Sequence, residues 1–203
     1  MKGRANIDFR KYKEGFPNIS SQHFYYGDKQ LINTKTDFTV VFPMYENIDL
    51  VRILLTSLME CQKRNSEKLE IVIVDNFSSK SSKESLRNFL KSIEEKYEFK
   101  FLITCLVMNS SEEISIKSGY ADSIMNAFGL HSGLSSIQSN PEFVFVAHSD
   151  VMFTSERWFQ FLKSKNQKNG SRLLGFRNYN RLKDYAHVCG YMFESRYFNS
   201  EKI

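Results

Sequence analysis

With 203 residues, 41% hydrophobic and 25% charged, the chain has the composition of one packed globular domain, and it lies outside the disordered and collagen-like classes. Its formal charge of +5 suits an anionic partner, but the lysines and arginines form no block of five or more, so they read as a solvated basic surface and not as a nucleic-acid face. Cys61, Cys105 and Cys189 are far apart, odd in number and without a C-x-x-C pair, which argues against a disulfide framework or a cysteine zinc site; no apolar leader region follows Met1 and no eighteen apolar residues run together, so a soluble cytoplasmic protein is expected.

Residues 1–36 are polar and aromatic, with turn signals at Phe16-Pro17-Asn18 and Gly27-Asp28 and no sustained periodicity. They read as an irregular N-terminal extension packed on the core, in which Tyr25 and Tyr26 either anchor the arm by burying their rings or contribute to a site. From Phe38 the pattern changes. The β-branched and aromatic run FTVVFP, stopped by Pro43, predicts a strand, and NIDLVRILLTSLMECQ predicts a helix capped by Asn47. LEIVIVDN is too continuously apolar for a strand wet on one face and predicts a central parallel strand ending at Asp75-Asn76. A helix over KESLRNFLKSIEEKY and a strand over FKFLITCLVM complete a βαβαβ order.

After Asn109 a polar loop leads to a helix from Gly119 to about Ser136, weakened by its glycines. EFVFVAHSD predicts another strand, ending in His148-Ser149-Asp150. Beyond it lie a helix over SERWFQFLKSK, a strand over RLLGF, and a tail from Asn178 that is less decided. Alternating strands and helices imply an α/β fold: a mostly parallel central sheet with helices on both faces, and a ligand crevice outside the carboxyl ends of the strands. Those ends carry Pro43-Met44-Tyr45-Glu46, Asp75-Asn76, Asn109 and His148-Ser149-Asp150.

VVFPMYEN, IVIVDNFSS, the segment GYADSIMN and FVFVAHSD, in this order, together resemble the GT-A glycosyltransferases, particularly the inverting group-2-type family of nucleotide-diphospho-sugar transferases. The resemblance runs from Phe38 to Phe198 and makes residues 37–203 a GT-A-like, Rossmann-like domain with a short C-terminal acceptor region. It implies that Pro43, Met44, Tyr45 and Glu46 lie along the nucleotide, and that Asp75, with Asn76 and Ser78, recognises the base. A carboxylate is able to accept the imino hydrogen of uracil or guanine. Read without the family, Asp75-Asn76 is equally a helix cap or turn. Gly119 and Asp122 would stand at a helix start near the sugar and diphosphate, although Gly119 also serves simply to end the preceding loop.

His148-Ser149-Asp150 falls where the family carries its D-x-D motif, which implies Asp150 as ligand of Mn2+ or Mg2+ bridged to the diphosphate. One of the two acids is replaced, so His148 either joins the metal or hydrogen-bonds the sugar or a neighbouring strand. AHVCGYMF resembles the family strand that passes the donor sugar; His187 there reaches the metal or acceptor, or is a structural histidine. Inverting transfer needs a general base, and Glu194 and Asp184 are the late carboxylates. The expected function is metal-dependent transfer of a sugar, from a UDP-sugar before a GDP-sugar, to a glycan, lipid or protein hydroxyl, with a homo-oligomer left open. The alternative is a non-catalytic nucleotide-sugar-binding module. A nucleotidyltransferase or dehydrogenase is disfavoured because no glycine-rich phosphate loop follows a strand.

Overall fold

A computed structural model describes residues 19–110, 121–170, 173–177 and 186–196. The strands are β1 (Ile19–Gly27), β2 (Lys35–Met44), β3 (Leu69–Asn76), β4 (Phe101–Ser110), β5 (Asn140–Ala147), β6 (Leu173–Arg177) and β7 (Ala186–Glu194). The helices are α1 (Ile48–Gln62), α2 (Lys80–Lys96), α3 (Ala121–Ser135) and α4 (Trp158–Asn169). One seven-stranded sheet runs β1-β4-β3-β2-β5-β7-β6. Its centre, β4-β3-β2-β5, is parallel, while β1 pairs antiparallel with β4 and β7 antiparallel with β5.

The continuous apolar runs are explained by burial on both faces. Phe38, Val40 and Phe42 of β2 and Ile71 and Ile73 of β3 face a large core under α1, α2 and α4, whereas Val41, Val72, Val144 and Val146 face a smaller core with Leu130 and Leu134 of α3. On the larger side Phe38 stacks on Phe159, with ring centroids 4.2 Å apart, and meets Trp158 edge-on. On the smaller side α3 approaches so closely that a Cβ on Gly133 would come within 2.7 Å of Val41 Cγ1. The glycine that weakens the helix in sequence is what lets it seat on the sheet.

What reads in sequence as an irregular lead-in contains β1. Ile19-Ser-Ser-Gln-His lacks an apolar run because this is an edge strand, paired on one side and exposed over Ser20, Ser21 and Gln22. Tyr26 is buried against the core, while the Tyr25 ring stacks on His23. The strand expected over RLLGF is β6, and it pairs antiparallel with β7 at the far edge, a direction the sequence does not state.

Glu70 of β3 is fully buried at the amino-terminal end of the parallel strands. Its carboxylate accepts from Gln138 N–H (2.9 Å), Ser139 N–H (3.0 Å), the Ser139 hydroxyl (2.6 Å), the Thr104 hydroxyl (3.1 Å) and, at 3.4 Å, the Thr39 hydroxyl. These bonds tie the α3–β5 connection beneath the sheet and satisfy a charge that would otherwise be costly to bury. No helix among the described residues is long and apolar enough to cross a membrane.

Candidate functional site

The parallel strands bring the loops after β2, β3 and β5 together at their carboxyl ends, where open α/β sheets hold ligands. Two of these loops interlock. Glu46 and Phe77 both adopt the left-handed region, with φ of 57° and 66°, and the Glu46 N–H donates to the Ser78 hydroxyl at 2.9 Å. The Glu46 carboxylate turns onto the N-terminus of α2, accepting from Ser79 N–H, the Ser79 hydroxyl (3.0 Å) and the Ser82 hydroxyl (2.6 Å). Those bonds, the Ser82 hydroxyl first, hold its carboxyl below the usual range. Glu46 therefore reinforces the start of α2 from across space, beside the N-cap Ser79, whose hydroxyl accepts the Ser82 N–H at 3.3 Å, and its oxygens are engaged by the protein itself.

The neighbours of Glu46 divide by burial. Met44 is packed in the larger core and Pro43 lies under Gly129 of α3, whereas Tyr45 is 66% exposed and stands at the rim. Asp75 is 0% exposed; its Oδ1 accepts the Ser78 N–H at 3.1 Å and its Oδ2 has no partner. Burial pushes its carboxyl above the ordinary range, opposed by Ser78 and by the charge of Lys83. Asn76 points to the other face, where a Cβ on Gly129 would lie 3.2 Å from its amide nitrogen. Ser78 thus serves both loops, binding Asp75 through its amide and Glu46 through its hydroxyl.

After β5, His148 Nδ1 and Asp150 Oδ1 are 2.9 Å apart, with side chains 35% and 51% exposed. Ser149 sits between them in a turn closed by Val151 N–H donating to His148 C=O at 3.2 Å. An imidazole and a carboxylate side by side are both able to ligate a divalent transition-metal cation such as Mn2+. Among the described residues no group of three or more His, Cys, Asp or Glu gathers to hold a metal, and this pair supplies two donors.

Glu194 is not brought to this end. It pairs with Phe143, the fourth residue of β5, five residues before His148 and hence about 16 Å away along the strand. Its carboxylate accepts from Asn166 Nδ2 at 3.1 Å and ion-pairs with Arg196. β7 runs antiparallel to β5, so its late residues, Glu194 among them, lie away from the strand ends that carry His148 and Asp150. Gly119 and Asp184 lie outside the described residues, as do the side chains of Asp122 and His187.

Lys83 is a residue that sequence reasoning misses. It sits within SSKSSK, where a lysine reads as surface, yet it is half-buried, donating to Met108 C=O at 3.1 Å and Asn109 Oδ1 at 2.8 Å. This carries a fixed positive charge to the end of β4, beside Asp75.

No family model matches the chain and no curated protein does. Among solved structures it is similar to the mannosyltransferase PcManGT from Pyrobaculum calidifontis in complex with GDP-Man and Mn2+, at 15% identity and a TM-score of 0.57 over 85% of this chain and 50% of that one. It is also similar to mouse xyloside xylosyltransferase 1 in its apo form, at 13% identity and a TM-score of 0.53 over 84% of this chain and 70% of that one. A third likeness is to residues 1–349 of S. aureus TarS in complex with UDP, at 13% identity and a TM-score of 0.50 over 81% and 48%. The chain spans about half the length of the PcManGT and TarS chains. What these likenesses establish is the architecture: a seven-stranded mixed sheet, parallel at its centre and flanked by helices, in the Rossmann-like GT-A fold.

Proposed function

We propose that the chain binds a nucleotide-diphosphate sugar across the carboxyl ends of β2, β3 and β5 and transfers its sugar to a hydroxyl acceptor, with a UDP-sugar as the favoured donor and inversion as the favoured outcome. The observation that carries this reading is the meeting of Tyr45, Asp75 with its unpartnered Oδ2, and the His148–Asp150 pair on a GT-A fold. Asp75 would accept an imino hydrogen of the base once the loop residues above it part, filling the lone pairs that its burial leaves open. Tyr45 would cover the nucleoside from the rim. Asp150 and His148 would hold a divalent cation, Mn2+ before Mg2+, whose chemistry there is to offset charge on the departing diphosphate. The lysine at the end of β4 favours keeping Asp75 ionised as an acceptor.

A second reading, binding without turnover, is favoured by one observation: among the late carboxylates expected to act as base, Glu194 is at the wrong end of the sheet. Calorimetric titration of UDP and GDP with and without Mn2+, on the wild type and Asp150→Ala, tests both readings. Metal-dependent binding lost in Asp150→Ala supports the donor site, and turnover of a bound UDP-sugar separates transferase from binder. Absence of binding by either nucleotide refutes both.

A further inference from the structure

A cleft of about 570 Å³ opens between α2 and the end of β4, lined by Lys80, Lys83, Glu84, Arg87 and Asn109. The three basic residues lie at i, i+3 and i+7, so they form one stripe, and a stripe of this kind is ordinarily a solvated face. Two facts separate this one from that case. Arg87 is half-buried with its guanidinium carbon 4.3 Å from the centre of the Phe24 ring, and its Nε is buried without any hydrogen-bond partner. Lys83 is half-buried too, fixed by Met108 C=O and Asn109 Oδ1, which use two of its three protons. The charges are therefore held in place before any ligand arrives, and among the described residues neither is neutralised by a carboxylate bonded to it.

The helix N-terminus does not account for the feature, because Glu46 already occupies it. The cleft is lateral to that end, and its remaining acid, Glu84, is exposed. A planar guanidinium with free donors beside two ammonium groups matches the oxygens of a phosphate ester or diphosphate. With Asn109 at the end of β4 and His148 at the end of β5, three strand spacings separate the cleft from the His148–Asp150 pair, about 14 Å. We infer that this cleft is a second anion site, taking the phosphate group of a ligand other than the donor's metal-bound diphosphate. It requires neither the metal nor the transferase reading.

Pyrophosphate and inorganic phosphate titrated into the full chain without metal, at low and at high salt, provide the test. Wild type binds pyrophosphate, more weakly as salt rises. The double variant Lys83→Gln/Arg87→Gln loses about tenfold or more in affinity, and Lys80→Gln, at an exposed position, loses about threefold. Glu84→Gln strengthens binding, a gain that damage to the fold would not produce. Asp150→Ala leaves pyrophosphate binding unchanged, and UDP or GDP with Mn2+ does not displace it. Failure of the wild type to bind at millimolar pyrophosphate, or affinity indifferent to the Lys83/Arg87 and Glu84 changes, overturns the site. Displacement by the metal–nucleotide complex overturns its independence and assigns the cleft to the donor.

Discussion

Replacing Glu46 discriminates a cap from a donor contact. Glu46→Ala removes the acceptor for Ser79 N–H and for the Ser79 and Ser82 hydroxyls, all near enough to solvent for water to take over part of the bonding. Ser79 keeps its own cap bond to the Ser82 N–H, so the loss is that of the hydrogen bonds to the carboxylate, about 0.5–1 kcal/mol, plus the interaction of a carboxylate with the helix N-terminus, about 0.3–1 kcal/mol, or roughly 1–2 kcal/mol together. Alanine also inherits φ 57°, so Glu46→Gly, which loses the same cap but relieves that conformation, is expected to be more stable than Glu46→Ala by about 1 kcal/mol. Because the folded state holds this carboxyl below its ordinary value of 4.5, the stabilisation is present above that value and is lost as pH falls through the lower folded one. Urea denaturation at neutral pH and at about pH 3 measures all of this: the gap between wild type and Glu46→Ala narrows in acid. Equal stability of the wild type and alanine variants, glycine below alanine, or a gap indifferent to pH refutes the capping argument. So does a Glu46→Gln variant that keeps its stability and loses nucleotide binding.

Glu70→Ala strands the Gln138 and Ser139 N–H groups beneath the sheet at about 1–3 kcal/mol each, so a loss of roughly 2–6 kcal/mol in denaturation is expected, with faster amide exchange at those two residues; a loss below about 1 kcal/mol contradicts the network. Glu70→Gln, which must aim an amide NH2 at one of the same donors, falls between alanine and wild type. Asp75 has the opposite pH sign to Glu46. Its raised carboxyl contributes stability below the ordinary value of 3.8 that is lost as pH rises through the folded value, so Asp75→Asn is expected to be more stable than wild type at neutral pH and level with it in acid. If Asp75 reads the base, the same variant weakens nucleotide binding by about tenfold or more in calorimetry; unchanged affinity removes Asp75 from the site.

The central sheet was legible because both its faces are covered. Phe38–Met44, Leu69–Asn76 and Phe143–Ala147 need no alternation and announce themselves as apolar runs, and the Asn47 cap, accepting Leu50 N–H at 3.4 Å, is local enough to read from four residues. The strand-end positions of Asp75, His148 and Asp150 followed from the same runs. What escaped depended on distance or direction. The edge strand β1 has to satisfy one neighbour and is written in serine, glutamine and histidine. Glu46 caps a helix 34 residues downstream, and Glu70 finds donors 68 and 69 residues away, which no window of sequence reveals. The antiparallel direction of β7 sets Glu194 opposite Phe143, away from the strand ends, and periodicity carries no information on strand direction.

Glu70 and Asp75, the buried carboxylates near the two ends of β3, are therefore of different kinds, although sequence presents them alike. At the amino-terminal end Glu70 is closed over by five donors and Glu194 is shared between Asn166 and Arg196, so both carboxylates are used in holding segments together. At the carboxyl end Asp75 keeps an oxygen without a partner and the His148–Asp150 pair stays open to solvent. Buried or half-buried polar groups left unsatisfied are destabilising, by about 1–3 kcal/mol for each fully buried one, and a fold able to satisfy Glu70 so completely is not short of means to satisfy Asp75. Asp75 Oδ2 is set apart by its place: it lies at the strand ends that open α/β sheets use for ligands, whereas Gln62 Oε1 and Asn166 Oδ1, buried without partners as well, lie beside Glu67 and Glu194 toward the other end.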